Sequence, residues 1–215
     1  MNAIPHSNVF HGASGVAAYP VSITIPDPIG PRNRLTTALR PILALPHSIL
    51  VGPIYWSFRT GGLGLVGAAA YVLAIVSWVT LLFGRHHNGD IREFCLFYLR
   101  WRLRAVAYMG LLRDEYPPFV QGAYPTSLEV VAPEGARDLV SIGFRPLLAL
   151  PHLLLLPLLL AAWFFTTVAA WVLILWRGRY PEPLFPFAVG VVRWAVRVEA
   201  YLLLLVDEYP PFTLD

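Results

Sequence analysis

The 215-residue chain reads as a mainly α-helical integral membrane protein built from two tandem copies of one module, and three observations predict this. The stretch Arg40-Pro41-Ile42-Leu43-Ala44-Leu45-Pro46-His47 returns as Arg145-Pro146-Leu147-Leu148-Ala149-Leu150-Pro151-His152, and Asp114-Glu115-Tyr116-Pro117-Pro118-Phe119 returns as Asp207 to Phe212. The composition is 57% hydrophobic and only 13% charged, against the roughly 25% charge of soluble domains. Between the repeated motifs lie uncharged runs long enough to cross a bilayer, which takes about 20 residues.

The duplication sets the domain boundaries. From Tyr19 to His47 the copies align without a gap at an offset of 105, with 13 of 29 residues identical. From Arg100 to Phe119 the offset is 93, with 13 of 20 identical. Residues 1–18, with no basic start and no sustained apolar core, are expected to be a flexible tail rather than a cleavable signal. Repeat one then covers 19–119, a linker 120–123 and repeat two 124–215.

Each repeat opens with a strand signal. Val21-Ser22-Ile23-Thr24-Ile25 alternates apolar and polar residues, and Ser127-Leu128-Glu129-Val130 does the same. Repeat-equivalent strands can pair with each other. Next come arginines (Arg32, Arg34 and Arg40; Arg137 and Arg145) and the apolar runs. In the first copy, Arg59-Thr60-Gly61-Gly62 divides Pro41–Phe83 into 18 and 21 residues, which reads as a helical hairpin. In the second, Leu147–Trp176 is an unbroken 30 residues punctuated by Pro151 and Pro157. A single helix of that length would reach about 45 Å. Hairpins in both copies would put 15 of the 16 arginines on one side with Arg59 opposite. Such asymmetry is the mark of bacterial inner-membrane topology. It predicts a short or re-entrant second hairpin turning near Pro157 or Ala161-Ala162, with both termini cytoplasmic in a multi-pass protein.

The third part of each copy, Ile91–Leu112 and Leu184–Val206, has helical length but carries charge. Arg100 and Arg104, like Arg193 and Arg197, lie four apart and share a face, with Trp101, Tyr108, Trp194 and Tyr201 among the aromatics on the remainder. A charge deep in a bilayer costs several kcal/mol, whereas an interfacial helix lifts it to the headgroups. The expectation is a pair of in-plane amphipathic helices contacting lipid or partner through these eight residues. The rival is a helix crossing with its arginines facing protein. Tyr-Pro-Pro-Phe stops each helix, and the acids just before it, unfavourable against the helix dipole, are expected to meet the repeat's own arginines.

The order Arg-Pro-x-Leu-Ala-Leu-Pro-His, apolar run, Gly-Arg, Arg-Trp-x-x-x-Arg-x-x-Ala-Tyr, Asp-Glu-Tyr-Pro-Pro-Phe resembles the bacterial membrane-protein family of domain of unknown function 4389. The resemblance extends over both copies, roughly 19–214, and is strong at Gly178-Arg179-Tyr180-Pro181. The first copy departs from it, with His86-His87 in place of Tyr-Pro and extra residues around Arg59 to Gly62. The resemblance implies membrane residence and carries over no catalytic residue.

Candidate chemistry is sparse. His47 and His152 are repeat-equivalent and would be the ligands if a haem or metal were held, though proline-flanked histidines at an interface are ordinarily structural. His86, His87, Asp90 and Glu93 offer ligand types in what reads as a solvated loop. Phosphate-loop, nucleophile-elbow and zinc-protease motifs are absent from the sequence, and the lone Cys95 supports no disulfide framework. All 16 basic residues are arginine; because they flank apolar runs, anionic lipid rather than nucleic acid is their expected partner. These features predict a non-enzymatic protein without cofactor or metal. It would be a scaffold or accessory subunit that docks on a larger membrane complex, associates with itself or organises the bilayer. The alternative is a transporter or channel with an anion path lined by Arg100, Arg104, Arg193 and Arg197 between the repeats.

Overall fold

The computed structural model describes residues 19–27, 30–53, 62–83, 88–120, 122–133, 135 and 137–215. The N-terminal tail, the Arg59 turn and the His86-His87 pair fall outside them. The described residues form β1 (Val21–Thr24), α1 (Arg34–Leu43), α2 (Leu45–Val51), α3 (Gly64–Leu82), α4 (Gly89–Met109), β2 (Ser127–Val130), α5 (Leu139–Leu148), α6 (Leu150–Arg177) and α7 (Leu184–Leu202). The fold is mainly helical, and two stretches, Gly64–Leu82 and Leu139–Arg177, are long and apolar enough to cross a membrane.

The short helices α1 and α5 start on side-chain caps. The Asn33 oxygen accepts from the Leu35 and Thr36 amides, and the Asp138 oxygen from that of Val140, relieving donors that a helix start leaves unpaired. Pro41 and Pro146 sit inside these helices. A proline there has no N–H to give the carbonyl four residues back, which would orphan Thr37 and Ile142. An indole from the other copy fills each vacancy: Trp171 Nε1 donates to the Thr37 carbonyl at 2.9 Å and Trp78 Nε1 to that of Ile142 at 2.7 Å. The chain bends at Ala44 and Ala149, and the next helices begin with Pro46 and Pro151 in their first turn, where a missing N–H costs nothing.

The paths of the apolar runs correct the hairpin reading in both copies. The second run does not turn at Pro157 or Ala161: α6 is one continuous helix of 28 residues, about 42 Å long. In the first copy α2 and α3 are two parts of one interrupted rod. Along α4 from its C-terminal end, the contacts run Met109 with Ser48, Arg102 with Val51, Tyr98 with Gly67 and Cys95 with Ala70. Both segments therefore travel the same way, antiparallel to α4, where a hairpin would reverse the second. The repeat offset falls by twelve residues, from 105 to 93, across the interruption between Gly52 and Gly64. Both glycines have positive φ, 82° and 71°. A Cβ on Gly64 would collide with the Gly52 nitrogen, so only glycine lets the two sides of the interruption touch.

The copies are related by a pseudo-two-fold axis. β1 and β2 pair antiparallel, and the repeat-equivalent residues Ile23 and Leu128 face each other in the register, so the axis passes between them. The two proline-relieving indoles are exchanged by the same operation. An axis that relates antiparallel helices is perpendicular to them. Three layers lie across it: the two-stranded sheet, then α4 beside α7, then the rods α2–α3 and α6, with α1 and α5 packed against the rod of the opposite copy. The apolar core fills the space between the layers and includes Leu99, Leu103, Val191 and Leu205.

The placement of α4 and α7 corrects the second expectation. They lie between the sheet and the rods rather than on a surface: Arg102 and Glu199 pair with each other inside the protein, while Arg100, Arg104, Arg193 and Arg197 stay half-buried. The outside of the rods is apolar instead. Val72, Ile75 and Val79 of α3, and Leu154, Leu158, Phe165 and Val172 of α6, are exposed. Each rod buries only a narrow stripe, Gly67, Ala70, Ala74, Ser77 and Leu81 in one and His152, Leu156, Leu160, Trp163, Thr167, Ala170 and Ile174 in the other.

Candidate functional site

Among the described residues, three clusters of polar side chains organise the interior, two of them duplicated. The first joins the lead-in arginines to the Asp-Glu motif. Arg40 donates to the carbonyls of Tyr108 and Arg113 at 3.1 and 2.7 Å and to Asp114 at 2.7 Å. Arg145 donates to Tyr201, Val206 and Asp207 at 3.0, 2.9 and 2.8 Å. Each guanidinium also lies over a tyrosine ring, 4.4 Å from Tyr108 and 4.3 Å from Tyr201. A second arginine, Arg32 or Arg137, reaches the same carboxylate, and Arg113 pairs with its neighbour Glu115. Asp114, Glu115 and Asp207 thus meet the repeat's own arginines, as the sequence led one to expect. Burial pushes the Asp207 carboxyl upward, but hydrogen bonds from Arg137 and Arg145 outweigh it and hold the group below the ordinary aspartate range.

The clamp has a backbone purpose. Helices α4 and α7 close with Leu111 and Leu204 in the left-handed region, at φ 63° and 61°, while the Leu112 and Leu205 amides reach back to Ala107 and Ala200. This is the usual glycine-type C-cap built with leucine, a conformation costing about 1–2 kcal/mol without glycine. Both leucine side chains are buried, so apolar burial offsets the strain, and the arginines take up the remaining end carbonyls.

The second duplicated cluster holds the histidines. The Trp101 Nε1 donates to His47 Nδ1 at 3.1 Å, and that of Trp194 to His152 Nδ1 at 3.0 Å, which assigns the proton to Nε2. Each imidazole stacks on the closing phenylalanine, with centroids 4.6 Å from Phe119 and 4.1 Å from Phe212, and has Tyr116 or Tyr209 against it. Both are fully buried, each by its own copy, so the two do not converge on one ligand. The Tyr-Pro-Pro-Phe ending is a lid on an imidazole, and the histidine is the wedge that seats it. Among the described residues, no group of three histidine, cysteine or acidic side chains could hold a metal ion.

The third cluster occurs once, between the copies. Arg102 Nε donates to Glu199 Oε2 at 2.8 Å, and Tyr98 donates to Oε1 at 2.8 Å. Arg102 also donates to the Val51 carbonyl at 2.6 Å, a group left open because the first rod is interrupted there. Both charged residues are nearly inaccessible, at 5% and 3%. Sequence reasoning singled out the arginines four apart and passed over this pair. The available signal was asymmetry: the repeat counterpart of Arg102 is Ala195, and that of Glu199 is Val106. Beside the pair lies a cavity of about 20 Å³, room for one water.

The eight residues expected to touch lipid or partner divide into two groups. Trp101, Tyr108, Trp194 and Tyr201 are buried, because the rods and the Tyr-Pro-Pro-Phe segments cover them; for these the contact reading is corrected. Arg100, Arg104, Arg193 and Arg197 are half-buried on the sheet side. Arg100 reaches the Leu128 carbonyl at 3.4 Å, while Arg104 and Arg197 lie 5.9 and 5.7 Å from the rings of Tyr124 and Tyr19. Arg100, Arg104 and Arg197 border the sheet and its flanking tyrosines rather than a shared lumen.

A family model described as domain of unknown function (DUF4389) matches residues 60–121 and 140–213. The two segments correspond to the two copies. No curated protein and no solved structure matches the chain.

Proposed function

The chain belongs to the DUF4389 family of unknown function, and from that premise and the geometry we propose a non-catalytic membrane protein, a scaffold seated in one leaflet that presents its sheet side to partners. The observation that carries the reading is the distribution of polarity. Helices α3 and α6 contain no charge before Arg177 and are the outermost layer, whereas the charged helices α4 and α7 are inside. Water would give the reverse order; an apolar surround favours what is seen.

The two-fold axis supports seating in the plane of the bilayer. Rods standing across it would carry the sheet and the four half-buried arginines to hydrocarbon depth, at about 2.5–3.5 kcal/mol for each charge at the centre. Rods lying flat put the apolar face in oil and keep the sheet, Glu129 and these arginines among headgroups, where anionic lipid is the natural partner. A transport role finds less support, since the junction between copies is filled by the Arg102–Glu199 cluster and the arginines do not surround an opening among the described residues.

Single cysteines at Glu129 and Phe165, read with a membrane-impermeant thiol reagent on oriented vesicles, test the seating; Cys95 is buried and silent. Labelling of Glu129→Cys from one side and of Phe165→Cys from neither is expected. Access to positions on the two ends of α6 from opposite sides would replace the flat arrangement with a crossing one. The scaffold role is tested by purification in mild detergent: a defined oligomer or stoichiometric partner is expected, and a monodisperse monomer alone counts against it.

A further inference from the structure

Two grooves between the rods are related by the pseudo-two-fold axis. One, of about 480 Å³, runs between α1–α2 and α6, with Arg40, Pro41, Met109, Val168 and Trp171 among its walls. The other, of about 300 Å³, has Arg145, Pro146, Leu202, Ile75 and Trp78 at the matching places. Both fall in the size range of small-molecule sites, about 300–1,000 Å³. They are not packing defects of one copy, since the same proline, arginine and tryptophan build each. The walls are mostly apolar; apart from Ser48 and Thr167 in the larger groove, one polar feature recurs in both. Arg40 and Arg145 are each 2% exposed and spend their terminal nitrogens on the helix-end carbonyls and aspartates, yet Nε of both is buried without a hydrogen-bond partner. A buried N–H with nothing to donate to is unfavourable, and here the cost is incurred twice at equivalent positions.

We propose that the grooves are paired lipid sites, each taking one acyl chain of a bilayer glycerolipid, with an oxygen near the head of that chain accepting from the arginine Nε. The inference rests on the membrane reading. The grooves lie between the exposed apolar rods, so a neighbouring lipid reaches them without leaving oil. A chain is favoured over a partner helix because a helix with side chains is about 10–12 Å across, too wide for a slot walled by α1 and a rod that already touch. Filling the slot also supplies the van der Waals contacts that its lining otherwise lacks.

The test uses the full chain in mild detergent with phosphatidylglycerol bearing a photoactivatable diazirine chain, and adducts are mapped by mass spectrometry. Adducts concentrated on residues 40–53 with 164–171, and on 71–78 with 145–146, are expected. Val168→Trp should lower the first set roughly tenfold and leave the second, and Ile75→Trp the reverse. Both positions are exposed, at 45% and 60%, so the added ring has room, and the untouched groove reports that each variant is folded. Adducts spread evenly over Leu65, Leu154 and Phe165, unchanged by either variant, would overturn the grooves while leaving membrane residence standing. A chain that stays in the aqueous phase without detergent and takes no adduct would overturn both.

Discussion

Exchanging the central ion pair for the residues at the equivalent places of the opposite copy probes the interior most directly. Glu199→Val leaves Arg102 charged and 5% exposed, still donating to the Val51 carbonyl but stripped of its carboxylate. Removing one partner of a buried pair costs about 3–5 kcal/mol. Arg102→Ala leaves Glu199 buried with the Tyr98 hydroxyl but no guanidinium and uncaps the Val51 carbonyl, so a similar loss is expected. The double variant, Arg102→Ala with Glu199→Val, removes both charges together. What remains is the Val51 carbonyl and the Tyr98 hydroxyl, each stripped of its partner, and the space of a lost side chain, about 1–3 kcal/mol for each orphaned group. The singles should therefore sum to at least about 6 kcal/mol while the double loses roughly half of that. At this chain length each kcal/mol moves the unfolding midpoint by about 2–4 °C, so each single should melt roughly 6–20 °C lower in detergent. Circular dichroism melts of the four proteins close the cycle. If the two single losses simply add in the double, the pair is not coupled, and the copies are not joined through it.

The indoles, the glycine contact and the aspartate clamp can be probed in the same way. Trp171→Phe should cost about 1–3 kcal/mol by exposing the Thr37 carbonyl, and Pro41→Ala should recover most of it by restoring the helical N–H; thermal melts of the four combinations check this, and an absence of rescue would refute the substitution of indole for amide. Gly64→Ala should destabilise by more than about 2 kcal/mol, from the left-handed backbone and the contact with Gly52 together, whereas Gly89→Ala, with nothing within 4 Å of the added carbon, should be near neutral in the same melt. The Asp207 carboxyl is held below its unfolded range, so its contribution is present above about pH 4 and disappears as the pH falls through the lowered value; melts between neutral and acid pH should show an acid limb that Asp207→Asn flattens.

The duplication, the strand pairing and the meeting of acids with arginines were legible in the sequence because each rests on repeated residues at fixed spacing. The direction of the rods was not. Arg59-Thr60-Gly61-Gly62 between two apolar runs has the composition of a hairpin turn, and hydrophobicity has no sense of whether a chain comes back or continues. The drop in offset from 105 to 93 held the answer: an insertion in one copy only means that the uninterrupted helix of the other is the template. Charge on α4 and α7 misled for a related reason. Arginines beside aromatics fit a membrane surface and a neutralised core equally well, and only the departures from symmetry at Arg102 and Glu199 distinguish the two. The indoles facing Pro41 and Pro146 were hidden because each partnership joins different copies.

The axis through Ile23 and Leu128 has a consequence for how such a molecule can vary. Two separate identical subunits meeting at this seam would carry every alteration twice, so an acid placed on one side would appear on the other as well. Covalent fusion lifts that restriction and removes any dependence of the assembly on dilution. A lone cation can then face a lone anion across the middle, and one half can carry additional residues while its twin does without.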